Sequence, residues 1–366
     1  MLPRDLTDPT QGPHAIQLLL NDILAATRDT ADLRVIREDP ITTIADNYTN
    51  LGYPPDAITR DARYTRYLDD DRVLRSHTSA MIPLSLRRLA AEDNTWTDVL
   101  LACTGAVYRR DVVDRIHTGT PHQLDLWRIS HTPHPVNDLV VTAVRAALPN
   151  ATLRLIPATH PYTENGHQVD VLVDGQWLEV AECGQAARHV LDRAGLDTTV
   201  TGIALGLGLD RLLMLRKNIP DIRLLTATDP RIATQMQDLT PYRQVSKHPP
   251  VTRDLSVAVD ANADDETLGD QVRTAIGDLA EEIKILSETP IEDLPPTAAA
   301  RLGAKPGQKN VLLRVVLRDL TRTLSDDEAN RARDTIYATI HQGTINHWTA
   351  GPTKNPTTYP TTYPTT

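Results

Sequence analysis

Not one of the 366 residues is phenylalanine. A chain of this length would carry on the order of a dozen at average residue usage, so chance is a poor explanation. Ten tyrosines and four tryptophans show that aromatic packing itself is not avoided. Cysteine is almost missing as well. With Cys103 and Cys183 alone, a disulfide framework and a four-cysteine zinc site are both excluded. Lysine is scarce, six against 32 arginines, and the net charge is −10. An acidic total speaks against a protein that coats nucleic acid without specificity. It leaves room for one that holds a single nucleic acid through a local basic face. No apolar run approaches the ~20 residues of a membrane span. The opening MLPRDLTDPTQGP carries two aspartates and no apolar block, so neither a secretory signal nor a transit peptide is expected. These absences lead us to expect a soluble cytoplasmic protein without membrane contact.

What remains is a chain long enough for two domains and some appendages. Residues 14–30 place Ile16, Leu19, Leu20, Ile23 and Leu24 on one helical stripe. A polar, turn-rich stretch follows to residue 71, then a second helix in TSAMIPLSLRRLAAE. Short runs of strand period come next, among them HQLDLWRIS, HQVDVLV and QWLEVAECG. Strands with few intervening helices predict an α+β fold with an antiparallel sheet. Residues 227–248 have no clear period and read as a linker. From Pro250 the order is strand, helix over 264–283, strand, proline-rich loop, strand, helix over 325–342. Asp264 and Asp265 at the first helix start, and Ser325, Asp326 and Asp327 at the second, supply N-cap chemistry. The tail PTTYPTTYPTT is of low complexity.

Four strings occur in a telling order: LRSHTSAM (74–81), VYRRDVVDRIHTGTPHQLD (107–125), WLEVAECG (177–184) and GIALGLGLDRL (202–212). Together they resemble the class II aminoacyl-tRNA synthetases, and among these the phenylalanyl-tRNA synthetases. HPPVTRDLSV (248–257) and TRTLSDDEAN (321–330) resemble that family's ferredoxin-fold anticodon-binding domain. The layout resembles the single-chain, organellar type. It implies an N-terminal helix and extended segment over 1–60 and a catalytic domain over 61–226. The linker over 227–248, an anticodon-binding domain over 249–343 and a tail over 344–366 would follow. The implied activity is an ATP- and Mg2+-dependent ligation of an aromatic amino acid to tRNA, most simply tRNA(Phe), by a monomer.

The resemblance also implies roles. Amino-acid activation sets a carboxylate against the α-phosphate of ATP and expels pyrophosphate, so fixed cations are required. Arg109 stands at the second motif's arginine and implies contact with the α-phosphate and the substrate carboxylate. Arg211 stands at the third motif's arginine and implies contact with the γ-phosphate. Gly206 and Gly208 let the backbone approach under the adenine. His117 and His122 fall on the motif 2 loop, and His117 joins the two arginines as a catalytic candidate. Gln123 and Asp125 are the implied ammonium acceptors, with His77 and Ser79 nearby; the family usually has glutamate where Asp125 stands. Glu179 is the implied ATP-side or Mg2+ carboxylate.

The amino-acid pocket departs from the pattern. A loop that reads Phe-Pro-Phe in the family reads His160-Pro161-Tyr162 here. Ala181 and Glu182 replace leucine and glycine. Leu205 replaces a phenylalanine, while Ala204, at the para end of the substrate ring, is kept. Pro121 and Tyr48 also fall where phenylalanine is common. A carboxylate at Glu182 calls for a partner, either the substrate's amine or a neighbour such as Arg188. Two readings follow: compensation for a purge of phenylalanine with the substrate unchanged, or retuning towards a substituted aromatic amino acid. The second would suit a paralogue with a biosynthetic or self-resistance role. A non-catalytic tRNA-binding paralogue is a third possibility, disfavoured by the retained ATP arginines.

Overall fold

The computed structural model describes residues 2–345, apart from 93–94, 111–114, 116, 246–247 and 320. Residues 346–366, with most of the low-complexity tail, lie outside the described part. The chain forms two compact units, Met1–Lys247 and His248–Thr366. Among the described residues no helix is long and apolar enough to cross a membrane.

The first unit opens with α1 (Ala15–Thr27), whose apolar stripe is buried from Ile16 to Leu24. His14 caps it: Nδ1 accepts the Ile16 N–H, so the proton sits on Nε2 and is donated to the Leu225 carbonyl. Burial lowers the pKa of this ring to about 4, which keeps it neutral. Then come β1 (Asp32–Ile36), β2 (Ile41–Thr43), α2 (Ile44–Asn47), β3 (Arg72–Leu74) and α3 (Ile82–Ala90). They are followed by β4 (Asp98–Ala106), β5 (His122–Ser130), α4 (Val136–Ala147), β6 (Leu153–Pro157), β7 (Thr163–Val173) and β8 (Gln176–Ala186). The unit closes with α5 (Arg188–Arg193), β9 (Thr201–Gly208), α6 (Leu209–Lys217) and α7 (Pro230–Ala233). The 1–60 segment is therefore not an appendage, since α1 packs against α4 and α6 within this unit.

Seven strands form one sheet in the order β1-β4-β5-β9-β8-β7-β6. All neighbours are antiparallel except β1 and β4, which run parallel. The sheet is thus mixed at one edge. Asp174 and Gly175, with φ of 49° and 81°, turn β7 into β8 in the left-handed geometry that tight hairpins favour. On one face Val99, Leu101, Cys103, Trp127, Ile129 and Ala204 join Leu86 and Leu89 of α3 and Val190 and Leu191 of α5 in a single core. The helices α4 and α6 cover the other face. With both faces covered, β4 is buried along almost its whole length.

The 227–248 segment corrects the sequence reading in part. It carries α7, and Ile232 and Met236 are buried. Lys217, fully buried at the end of α6, donates to the Asp238 carbonyl at 2.6 Å and the Thr240 carbonyl at 2.6 Å. The first part of the segment is thereby fixed to the first unit.

The second unit contains β10 (Val251–Asp260), α8 (Asp265–Ile276), β11 (Ala280–Pro290), α9 (Pro296–Leu302), β12 (Gln308–Leu317) and α10 (Asp326–Ile340). Its antiparallel sheet has the order β10-β12-β11. Leu255, Val257, Leu313 and Val315 pack against Leu268 and Val272 of α8 and Ile336 of α10. Ser325 and Glu328 form a full capping box on α10. The helix expected over 264–283 ends earlier, because Gly277 takes a positive φ of 56° at its C-cap. Ile283 and Ile285 then point inwards with strand period, overriding the helical propensity of the glutamates around them. The proline-rich loop also holds α9, with proline at its first turn.

Replacing Lys217 by alanine should lower the stability of the first unit by about 2–3 kcal/mol, since a fully buried side chain and its charged hydrogen bonds to two carbonyls are lost. Urea unfolding followed by tryptophan fluorescence measures this, because three of the four tryptophans, Trp96, Trp127 and Trp177, lie in the first unit.

Candidate active site

Strand register builds the site. Cys103 pairs with Asp125, Asp125 with Gly206, Gly206 with Glu182 and Glu182 with Gln168. Paired residues share a sheet face, so Asp125, Gly206 and Glu182 stand in one row across three strands. One step along, Trp127, Ala204 and Gly184 form the next row. One step the other way, Gln123 pairs with Gly208. The pairing of β7 with β8 slips at Val180, so that Glu179 meets Asp170. Residues three apart in a regular strand face opposite sides; this bulge brings Glu179 onto the face of Glu182.

Above the row lies the turn Thr78–Met81. Asp125 holds it. The Thr78 hydroxyl donates to Oδ2 at 2.5 Å and the Ser79 hydroxyl to Oδ1 at 2.9 Å, while the Trp127 indole reaches Oδ1 at 3.3 Å. Gln123 Oε1 accepts the Thr78 N–H at 3.1 Å. The turn carries His77 over the site, stacked on Tyr53 with ring centroids 5.6 Å apart. Burial, and then the nearby Arg109 guanidinium, depress the His77 pKa to about 3, so the ring is neutral.

His160, Tyr162 and Glu182 form a second cluster. The Tyr162 hydroxyl donates to Glu182 Oε2 at 3.0 Å, and His160 Nε2 lies 3.6 Å from the same oxygen. The rings of His160 and Tyr162 stack 5.9 Å apart. Tyr162 also approaches Trp127 at 6.1 Å and Tyr53 at 6.3 Å. Gly52 permits this closeness: at φ 88° a Cβ would sit 2.7 Å from the Pro161 carbonyl. Arg188, a sequence-based candidate partner for Glu182, is elsewhere. It donates to Asp192 at 2.8 Å and to the Val200 carbonyl at 2.8 Å.

The two arginines approach from different sides. Arg109 Nε donates to the Ser76 carbonyl at 2.7 Å, beside the His77 turn. Arg211, in the first turn of α6, donates to the Glu179 carbonyl at 2.9 Å, on the β8 side. Glu179 is half-buried, and burial followed by repulsion from Glu182 raises its carboxyl pKa. Among the described residues no group of three or more His, Cys, Asp or Glu could hold a metal ion. A Mg2+ that takes one or two carboxylates and leaves the rest to phosphate and water is still compatible with Glu179.

His117 is exposed on the connection between β4 and β5. His122 falls on the opposite face of the sheet from Gln123. Its Nε2 accepts the Leu6 N–H at 3.0 Å and its Nδ1 meets Asp210 at 3.0 Å. That is a structural role. Sequence reasoning passed over Tyr53, a partly buried ring packed against the core beside His77 and Tyr162, and Arg75. The guanidinium of Arg75 is buried and bonds the Ala106 and Glu38 carbonyls at 2.8 Å each, tying β3 to the end of β4. The LRSHTSAM string contains Arg75, and its place two residues before His77 was the signal available.

With this geometry in view, comparison with known proteins defines the class. The family described as "tRNA synthetases class II core domain (F)" matches residues 9–236, and the "Ferredoxin-fold anticodon binding domain" matches residues 246–345. The chain belongs to the class II aminoacyl-tRNA synthetases, with the core first and the anticodon-binding domain after it. It is 28% identical over 308 residues to the chloroplastic/mitochondrial phenylalanine--tRNA ligase of Arabidopsis thaliana, covering 80% of this chain and 67% of that one. The probable mitochondrial phenylalanine--tRNA ligase of Drosophila melanogaster is 26% identical over 355 residues, covering 80% of this chain and 74% of its own. A phenylalanine--tRNA ligase alpha subunit of Prochlorococcus marinus subsp. pastoris is 35% identical over 192 residues, 52% of this chain and 56% of that subunit.

Burial raises the Asp125 pKa from 3.8 to about 6, against the pull of its three hydrogen-bond donors. Between about pH 4 and 6 the folded chain therefore binds more protons at this site than the unfolded chain does. Its contribution must make stability fall as pH rises through that window, by on the order of 3 kcal/mol. Urea unfolding of wild type and Asp125→Asn at pH 4, 5, 6 and 7 should show the wild type losing ground to the variant over that range.

Proposed function

We propose that this protein activates phenylalanine with ATP and transfers it to tRNA(Phe). The observation that carries the reading is the shared sheet face of Gly206 and Gly208, approached by Arg109 and Arg211 from two sides. The names of the relatives supply the amino acid. Arg109 receives the substrate carboxylate and the α-phosphate, and Arg211 receives the γ-phosphate. Each guanidinium already has one donor anchored on a backbone carbonyl, so the cation is oriented before substrate arrives. Gly206 and Gly208 leave room for the nucleotide, as a Cβ on Gly208 would meet nothing within 4 Å.

His77, Ser79, Gln123, Tyr162 and Ala204 shape the amino-acid side of the site, and His160 stacks behind Tyr162. Mg2+ held with Glu179 would neutralise triphosphate charge when bound. His117 joins the two arginines in catalysis from the connection between β4 and β5, where it is exposed. The anticodon-binding domain engages tRNA, in a monomer acting in the cytoplasm. Buried, free thiols at Cys103 and Cys183 suit such a reducing compartment.

Arg211→Ala should reduce phenylalanine-dependent ATP–pyrophosphate exchange by roughly 100- to 1,000-fold, the range for loss of one oriented donor. Its urea midpoint should stay close to wild type. Exchange at the wild-type rate would overturn the assignment of Arg211, and no exchange with phenylalanine in the wild type would overturn the substrate.

A further inference from the structure

We propose that Glu182 is the carboxylate that receives the α-ammonium of the amino-acid substrate, in place of Asp125. This deepens, and rests on, the reading of the site as an amino-acid-activating one. Any amino acid presents a carboxylate and an ammonium, and the ammonium needs oxygen acceptors where it is desolvated. Asp125 is poorly placed for that task. It is 3% exposed, and two hydroxyls and an indole already donate to its two oxygens. Gln123, its neighbour on the same face, has its amide oxygen on the Thr78 N–H. Both groups hold the turn that carries His77.

Glu182 is different in each respect. It stands in the same row as Asp125, with Gly206 between them. Its side chain is 43% exposed, and only Oε2 is engaged, by the Tyr162 hydroxyl and by His160. Among the described residues Oε1 has no hydrogen-bond partner. The tyrosine hydroxyl fixes the rotamer, so the free oxygen is held in place. Between the two carboxylates the floor is open: a Cβ on Gly206 would meet nothing closer than the Asp125 oxygens, at 3.8 Å and 3.9 Å. Phenylalanine brings a single hydrogen-bonding cation, its ammonium. Set against the ring instead, Oε1 would be desolvated without a donor, which opposes binding.

The experiment uses the full chain and two ligands that differ at one group, phenylalanine and phenyllactate, which carries a hydroxyl in place of the ammonium. KM for phenylalanine in pyrophosphate exchange and Ki for phenyllactate are measured in wild type and Glu182→Gln. KM should rise on the order of 10- to 100-fold, the scale of a lost charged hydrogen bond, while Ki stays within about twofold. Tyr162→Phe, which releases the rotamer, should raise KM by a smaller factor, roughly three- to tenfold, again sparing Ki. This variant serves if Glu182→Gln does not fold. Equal weakening of both ligands, or an unmoved KM, would overturn the assignment. So would a Glu182→Gly variant that improves phenylalanine at the expense of meta- or para-tyrosine, since Glu182 would then read the ring. If the wild type exchanges with a different aromatic amino acid only, phenylalanine is the wrong substrate, and the amine–hydroxyl pair of that amino acid decides the role of Glu182. If no amino acid gives exchange, both readings fall together.

Discussion

A buried carboxylate organises the site. Asp125 sits in the middle of the sheet, and its hydrogen bonds fasten the Thr78–Met81 turn against β5. That turn sets His77, and His77 stacks on Tyr53, which approaches Tyr162. Burying the charge is costly, as the raised pKa shows, and three donors offset part of that cost. A side chain one methylene longer would have to push the turn outward or give up a donor. The position of the pocket wall and the length of this one residue are therefore coupled.

The absence of phenylalanine has a physical consequence throughout the first unit. Tyrosine, tryptophan and histidine fill the ring-sized spaces, and each brings a polar tip that must be satisfied once buried. The Tyr48 hydroxyl donates to the Thr59 carbonyl at 2.7 Å, Trp96 to the Leu89 carbonyl at 3.0 Å, and Trp127 to Asp125. Tyr162 donates to Glu182. The pocket thus contains acceptors because it contains donors. Glu182 is doubly useful in this arrangement, as acceptor for Tyr162 and, in the reading proposed here, for the substrate ammonium.

Much of the architecture was legible because it is local. The stripe from Ile16 to Leu24 and the acidic and serine caps at 264–265 and 325–327 are properties of a few adjacent residues. Their chemistry needs no distant partner. The reading went astray where a local signal met a tertiary demand. The helix over 264–283 overran because Gly277 and the inward-facing Ile283 and Ile285 serve the sheet instead. The 227–248 segment looked unstructured because nothing in it announces that Lys217, ten residues upstream of its start, closes on Asp238 and Thr240.

By itself the sequence determined the family, through strings whose residues lie close together along the chain. It also determined the order of the two domains and the list of candidate side chains. Which of those side chains meet was decided only by the fold. The row of Asp125, Gly206 and Glu182 comes from backbone hydrogen bonds among three strands, and the bulge at Val180 is what puts Glu179 on their face. His122 and Gln123 are neighbours in sequence and part company across the sheet, since successive strand residues point to opposite sides. Glu182 lies six residues from Arg188 and twenty from Tyr162, yet its bond is to the tyrosine. Cross-strand register, which depends on every strand at once, overrides proximity along the chain.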